Sequence, residues 1–187
     1  MRLLSLCLIA ACGTDVAPTD NNDLVDPNRP TDGASLFELE CASCHGDGSG
    51  TEFGPTILNP VPGFATFVVR KGRNEMGYAG GGMAPFDQTA LKDPELAAII
   101  SYLGEAVKPT TGEGLYIRFC VNCHGADGKS GRVRKNIVGE IGEIAEKIRQ
   151  GNGGTNYGAR TSYMPRWTAA EITDAEIALL RTYILSL

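Results

Sequence analysis

Cys41-Ala42-Ser43-Cys44-His45 and Cys120-Val121-Asn122-Cys123-His124 decide how this chain is read. Two cysteines at i and i+3 on a helical turn lie on one face, where both sulfurs can add to the two vinyl groups on one haem edge. The histidine that follows can swing its imidazole over the iron. A CxxC pair alone is also compatible with half a zinc site, a redox disulfide or a structural bridge. Structural zinc takes four converging ligands, however, whereas the two motifs together offer six. A thioredoxin-type motif belongs in a βαβ context, and no β-type alternation surrounds either copy. The only two histidines of the chain both sit inside the motifs. Two covalent haem c groups, held through Cys41, Cys44, Cys120 and Cys123, account for all of these residues.

Working outward, the motifs are the centres of a repeat. The first cysteines lie 79 positions apart, and the same shift maps Gly33 on Gly112, Leu36 on Leu115, Arg70 on Arg149, Gly72 on Gly151 and Tyr78 on Tyr157. Beyond these the shift becomes 81, which maps Met83 on Met164, Glu95 on Glu176 and Tyr102 on Tyr183. The units are expected over residues 32–107 and 108–187, and each reads as all-α. Asp32 and Thr111 are expected N-caps of the helices that lead into the cysteines. Ile141, Ile144, Ala145 and Ile148 follow helical spacing, so a helix is expected over 140–150, ended by Gly151. Its first-unit counterpart, about 61–71, is expected to be shorter or less regular. Asp93 is expected to cap the closing helix of the first unit, with Pro94 opening it. Thr173 and Glu176 form a capping box for the second. A unit of about 75 residues buries too little surface to be robust alone, so the haem is expected to supply the missing apolar core and the apo chain to fold poorly.

Ahead of the units, Arg2 and the apolar run Leu3 to Ala11 read as a secretion signal over residues 1–11, too short to span a bilayer. Ile9-Ala10-Ala11-Cys12 resembles the lipobox of bacterial lipoproteins, which implies a lipid on Cys12, and Cys7 would leave with the signal. Residues 12–31 are rich in aspartate and proline with almost no large apolar side chain, and are expected to form a solvated tether. The expected location is the periplasmic side, with the membrane reached only through the lipid anchor.

The partner of each histidine across the iron decides the chemistry. Met83 in Gly82-Met83-Ala84-Pro85-Phe86 and Met164 in Tyr163-Met164-Pro165-Arg166-Trp167 lie at equal distances before Tyr102 and Tyr183. With His45 and His124 they are the expected axial ligands. Met76 has no counterpart and is expected to fill space. His/Met ligation raises the potential and leaves no open coordination position.

Each unit therefore resembles the small cytochrome c domain, and the pair is similar to the tandem dihaem cytochromes c of bacterial respiratory chains. The resemblance implies that a proline shortly after the motif offers its carbonyl to the histidine Nδ1. Gly54-Pro55-Thr56-Ile57 matches this in the first unit. In the second, Arg134-Lys135-Asn136-Ile137 carries lysine at the proline position, where its carbonyl can still accept the bond from a less rigid loop. Arg70, Arg149, Tyr78 and Tyr157 precede the methionine loops and are candidates for binding haem propionates. Trp167, the single tryptophan, is a packing residue that can lie against the second haem edge.

Net charge divides unevenly, −5 over residues 31–108 and +2 over 109–187. Lys129, Arg132, Arg134 and Lys135 cluster after the second motif, where they can steer an acidic redox partner, while the acidic first unit suits a different one. No aromatic-basic stripe points to nucleic acid. The function expected is single-electron transfer between a protein donor and acceptor, without bond chemistry. The alternative is a haem subunit of, or a catalytic dihaem domain in, a periplasmic oxidoreductase.

Overall fold

The computed structural model describes residues 27–73, 82–131, 133, 135–152 and 164–187. The expected signal, Cys12, most of the tether, Met76, Tyr78, Tyr157, Arg132 and Arg134 lie outside the described residues. Among those described, the chain is helical, with one isolated antiparallel bridge between Asn152 and Met164 and no strand. The first unit contains α1 (Gly33–Glu40), α2 (Ala42–His45), α3 (Pro62–Lys71) and α4 (Asp93–Gly104). The second contains α5 (Gly112–Phe119), α6 (Val121–His124), a 3-10 turn (Ile141–Glu143) that runs into α7 (Ile144–Gln150), and α8 (Asp174–Ile184).

Side-chain caps set the helix starts. The Asp32 carboxylate accepts the Ser35 N–H at 2.8 Å, and the Thr111 hydroxyl accepts that of Gly114 at 3.1 Å. At α8 both halves of the box close: the Thr173 hydroxyl accepts the Glu176 N–H at 3.2 Å and the Glu176 carboxylate accepts the Thr173 N–H at 2.7 Å. At α4 the cap lies one residue earlier than expected. Lys92 is the N-cap and Asp93 and Pro94 are already helical. A lysine side chain accepts nothing, so only the Glu95 carboxylate contributes, taking the Lys92 N–H at 2.7 Å. A second correction concerns α3, which runs for 10 residues against 7 in α7. Pro62 presets φ in its first turn, whereas the second-unit counterpart starts as the 3-10 turn.

Each unit crosses its first helix over its last at a glycine. A Cβ on Gly33 would lie 2.1 Å from the Ala98 carbonyl oxygen, and one on Gly112 would lie 2.3 Å from that of Leu179. Only the missing side chain admits such an approach. One turn along, Phe37 packs tilted on Tyr102 with centroids 5.7 Å apart, and Tyr116 on Tyr183 at 5.4 Å. Two separate cores result. Leu36, Phe37, Leu91, Leu96, Ile99 and Leu103 form the first. Leu115, Tyr116, Ile148, Leu180 and Ile184 are central to the second. Each such side chain contributes about 1.5–3 kcal/mol on burial.

The first unit also reaches further back than residue 32. Arg29 donates to Glu95 at 2.7 Å and to the Ala90 carbonyl at 3.1 Å, and pairs with Glu40 at 2.8 Å. Lys108 repeats the contact, pairing with Glu176 at 2.8 Å and donating to the Glu171 carbonyl at 2.9 Å. A basic residue at or just ahead of the start of each unit thus staples that start to the N-terminal end of its last helix. Arg29 therefore lies against the first unit from ahead of residue 32.

The units are joined through Asn59, the one non-glycine residue with positive φ (52°) among those described. Its N–H donates to the Leu103 carbonyl at 2.9 Å, and its side-chain amide donates to the carbonyls of Gly104 at 3.3 Å and Ala106 at 2.8 Å. Its side-chain oxygen accepts from Arg118 of α5. Val61 packs against the second core. One residue of the first unit therefore holds the end of α4, the connection and α5 together.

Candidate haem-binding sites

In both units the attachment motif is a single helical turn hung from the end of the preceding helix. The Cys41 N–H donates to the Phe37 carbonyl at 2.8 Å, and the N–H groups of Cys44 and His45 both turn back to the Cys41 carbonyl, at 3.1 and 3.0 Å. The second motif repeats this, with Cys123 and His124 on the Cys120 carbonyl at 3.1 and 2.9 Å. None of the four cysteines is in a disulfide. Desolvation pushes Cys41 up to about 11 and Cys120 up to about 12. A redox nucleophile needs the opposite environment. Among the described residues no three His, Cys, Asp or Glu side chains gather to hold an ion.

The surroundings of the first histidine suit a ligand presented to a haem. His45 is buried, and its Nδ1 lies 3.0 Å from the Pro55 carbonyl oxygen. A carbonyl only accepts, so the proton is assigned to Nδ1 and Nε2 is the nitrogen left to ligate. Gly54 makes room for the ring: a Cβ there would come within 2.8 Å of Nδ1 and of the Cys44 carbonyl. The Thr51 hydroxyl donates to that same carbonyl.

The second histidine is held differently. Ala126 lengthens its loop by one residue, so Ile137 donates to Gly128 at 3.0 Å where Ile57 donates to Gly48 at 2.9 Å. The Cys123 carbonyl is taken by the Val133 N–H at 3.2 Å. Nδ1 of His124 is buried and has no hydrogen-bond partner among the described residues. Burial lowers the His124 pKa, and the Lys135 carbonyl opposes that shift without closing a bond. Trp167 Nε1 is likewise buried and unpartnered among the described residues, and its ring meets Phe119 edge-on at 6.3 Å. A buried indole donor with no protein acceptor suits the polar edge of a bound cofactor.

The methionine segments are fixed to the ends of α3 and α7. Gly72 and Gly151 stop these helices with φ of 71° and 67°, and a Cβ on them would lie 2.5 Å from the Met83 oxygen and 2.6 Å from that of Met164. The next residue donates to the same carbonyl, Arg73 to Met83 at 2.7 Å and Asn152 to Met164 at 3.0 Å. Three residues on, Phe86 donates to Val69 and Trp167 to Ile148, each at 2.9 Å. Both methionines are partly buried, and Met164 packs against the second core.

The contacts of Arg70 and Arg149 run to the protein itself. Arg70 donates to the carbonyls of Phe86, Asp87 and Leu91 at 2.9, 3.1 and 2.7 Å and pairs with Asp93 at 2.6 Å. Arg149 donates to those of Trp167 and Thr168 at 3.2 and 3.4 Å and pairs with Asp174 at 2.6 Å. In the basic cluster, Lys129 and Lys135 are exposed and Lys135 pairs with Glu140. Sequence reasoning missed the Arg29 and Lys108 staples, although both fall on the repeat, as do their partners Glu95 and Glu176.

Residues 28–103 and 107–184 each match the family model described as cytochrome c oxidase, cbb3-type, subunit III. The chain belongs to this family. Its two units are tandem cytochrome c domains, and this chain carries two covalent haem c groups. Among curated proteins, the cbb3-type cytochrome c oxidase subunit CcoP of Rhodobacter capsulatus is 24% identical over an alignment of 190 positions that covers 83% of this chain. The match spans 61% of that relative's length. No solved structure matches. No helix among the described residues is long and apolar enough to cross a membrane.

Proposed function

We propose that this chain is the dihaem electron-transfer subunit of a respiratory oxidase of the cbb3 type. The carrying observation is that both segments matched by the subunit III family contain one attachment turn and one clamped methionine. In this reading Cys41, Cys44, Cys120 and Cys123 form the thioethers, and His45 with Met83 and His124 with Met164 fill the axial positions. Bound haem supplies reversible one-electron exchange. The chain holds each imidazole by its turn, holds each methionine by its backbone, and leaves no coordination position for a substrate. Lys129 and Lys135, with Arg132 and Arg134, present positive charge to an acidic partner, and the acidic first unit meets another. The module works on the periplasmic side, and acylation of Cys12 anchors it there.

Two measurements on the holoprotein test this. The oxidised spectrum is expected to show the weak long-wavelength band of methionine sulfur on ferric haem at the strength of two haems, and carbon monoxide is expected to leave the reduced spectrum unchanged. A band at half strength with carbon monoxide binding would instead mark one unit as a catalytic or sensing site. Purification from detergent-solubilised membranes is expected to bring an oxidase with the chain; recovery of the chain alone would favour a free carrier.

A further inference from the structure

We infer that Arg70 and Arg149 are positioning residues that hold the axial methionines in place, each by locking the far side of its methionine loop to the helix before it and the helix after it. The inference rests on the methionine ligation proposed above. The backbone bonds of each clamp pin only the near side of the loop, to the end of α3 or α7. Beyond Phe86 and Trp167 the chain must still turn into α4 or α8, and there the arginine is the common point. Nη1 reaches the carbonyls while Nη2 takes the aspartate, two separated nitrogens where a lysine ammonium offers a single point. The ion pairs alone contribute little, because the Asp93 and Asp174 side chains are 65% and 91% exposed. The carbonyl bonds are the substance of the lock, and they differ between units. Among the described residues, three carbonyls share the two N–H groups of Arg70 Nη1, all at 3.1 Å or less, whereas Arg149 Nη1 meets two carbonyls, at 3.2 and 3.4 Å. The second methionine is therefore the more easily displaced.

Imidazole titration of the ferric holoprotein, followed at the sulfur-to-iron band, tests this. In the unmodified protein imidazole is expected to displace the second methionine before the first. Arg149→Gln is expected to tighten imidazole binding at one haem by about tenfold or more, equivalent to about 1.4 kcal/mol, with the other haem unchanged. Arg70→Gln is expected to produce a larger change at the other haem. Arg149→Lys keeps the charge but not the fork, and is expected to behave as Arg149→Gln; it also carries the test if the glutamine variant yields no holoprotein. Unchanged imidazole affinity in the variants overturns the inference, and so does full restoration by lysine. A band that resists imidazole while the pH dependence of one potential shifts would return the arginines to a propionate role. Absence of the band from the unmodified protein would remove the methionine ligation itself, and the inference with it.

Discussion

His45 has the Pro55 carbonyl 3.0 Å from its Nδ1, whereas Nδ1 of His124 is buried with no partner among the described residues. Around this difference almost everything else is duplicated: the glycine at the helix crossing, the tilted aromatic pair, the arginine lock and the basic staple. The duplicated features are those that close a small helical unit around its cofactor. What varies is the immediate environment of the proposed iron ligand, the place where a protein tunes potential without altering its frame. A histidine that donates from Nδ1 is a stronger electron donor and favours ferric iron, so the first haem is expected at the lower potential and the second at the higher. The charges act in the same direction, −5 over residues 31–108 against +2 over 109–187.

The largest effect separates the units outright. Replacing Cys120 and Cys123 by alanine is expected to remove one of the two haems, halving the haem absorbance per chain and lowering the intact mass by one haem. Helicity of the second unit is expected to fall with it, since its core is small. Retention of full helicity by circular dichroism would mean that the protein frame alone supports the unit.

Next come the helix crossings. Gly33→Ala and Gly112→Ala each drive a methyl group into a backbone carbonyl and are expected to cost about 1–3 kcal/mol. Guanidinium denaturation of the holoproteins should show similar losses. A large inequality would break the equivalence of the two crossings.

The staples give a smaller effect with a defined pH dependence. Arg29 holds the Glu95 carboxyl below its ordinary value, aided by the Lys92 N–H. Desolvation pushes Glu176 up, but its bonds to Lys108 and Thr173 overcome this and leave it lowered. A depressed folded-state pKa stabilises above the unfolded value, and this contribution is lost as pH falls through the folded value. Arg29→Gln is expected to cost about 0.5–1 kcal/mol at neutral pH and progressively less below the ordinary glutamate range. Lys108→Gln is expected to follow the same curve with a smaller amplitude, because Arg29 also engages Glu40. Thermal unfolding across pH measures both.

The finest test acts on the asymmetry itself. Lys135→Pro is expected to stiffen the second loop, let its carbonyl accept a hydrogen bond from His124 Nδ1, and lower the second potential. The shift is about 40 mV for a bond that favours one oxidation state by about 1 kcal/mol. Spectropotentiometric titration is expected to show the two one-electron waves drawing together; unmoved waves would detach the potential difference from this contact.

Much of the frame was legible in the sequence because its signals are local. Asp32, Thr111 and the Thr173–Glu176 box act within three residues, and the attachment turns are encoded by i, i+3 spacing. Arg29 was not legible. It stands in an acidic, proline-rich stretch that reads as solvated, and its partner Glu95 is 66 residues away. Asp93 read as a cap because its type suits one, while its carboxylate faces Arg70 instead. For Arg70 and Arg149 the repeat identified the positions, but backbone carbonyls leave no trace in side-chain chemistry. The one-residue lengthening by Ala126 was hidden because the later helices return to the 79-residue shift.

Asn59 ties the end of α4, the connecting segment and α5 into one knot through its backbone and both ends of its amide. A joint made this way suppresses the swinging of one domain against the other. An electron crossing between the cofactors then waits on no diffusive search, so the internal exchange rate should be indifferent to solvent viscosity, and only the encounter with outside partners should slow in a thicker medium.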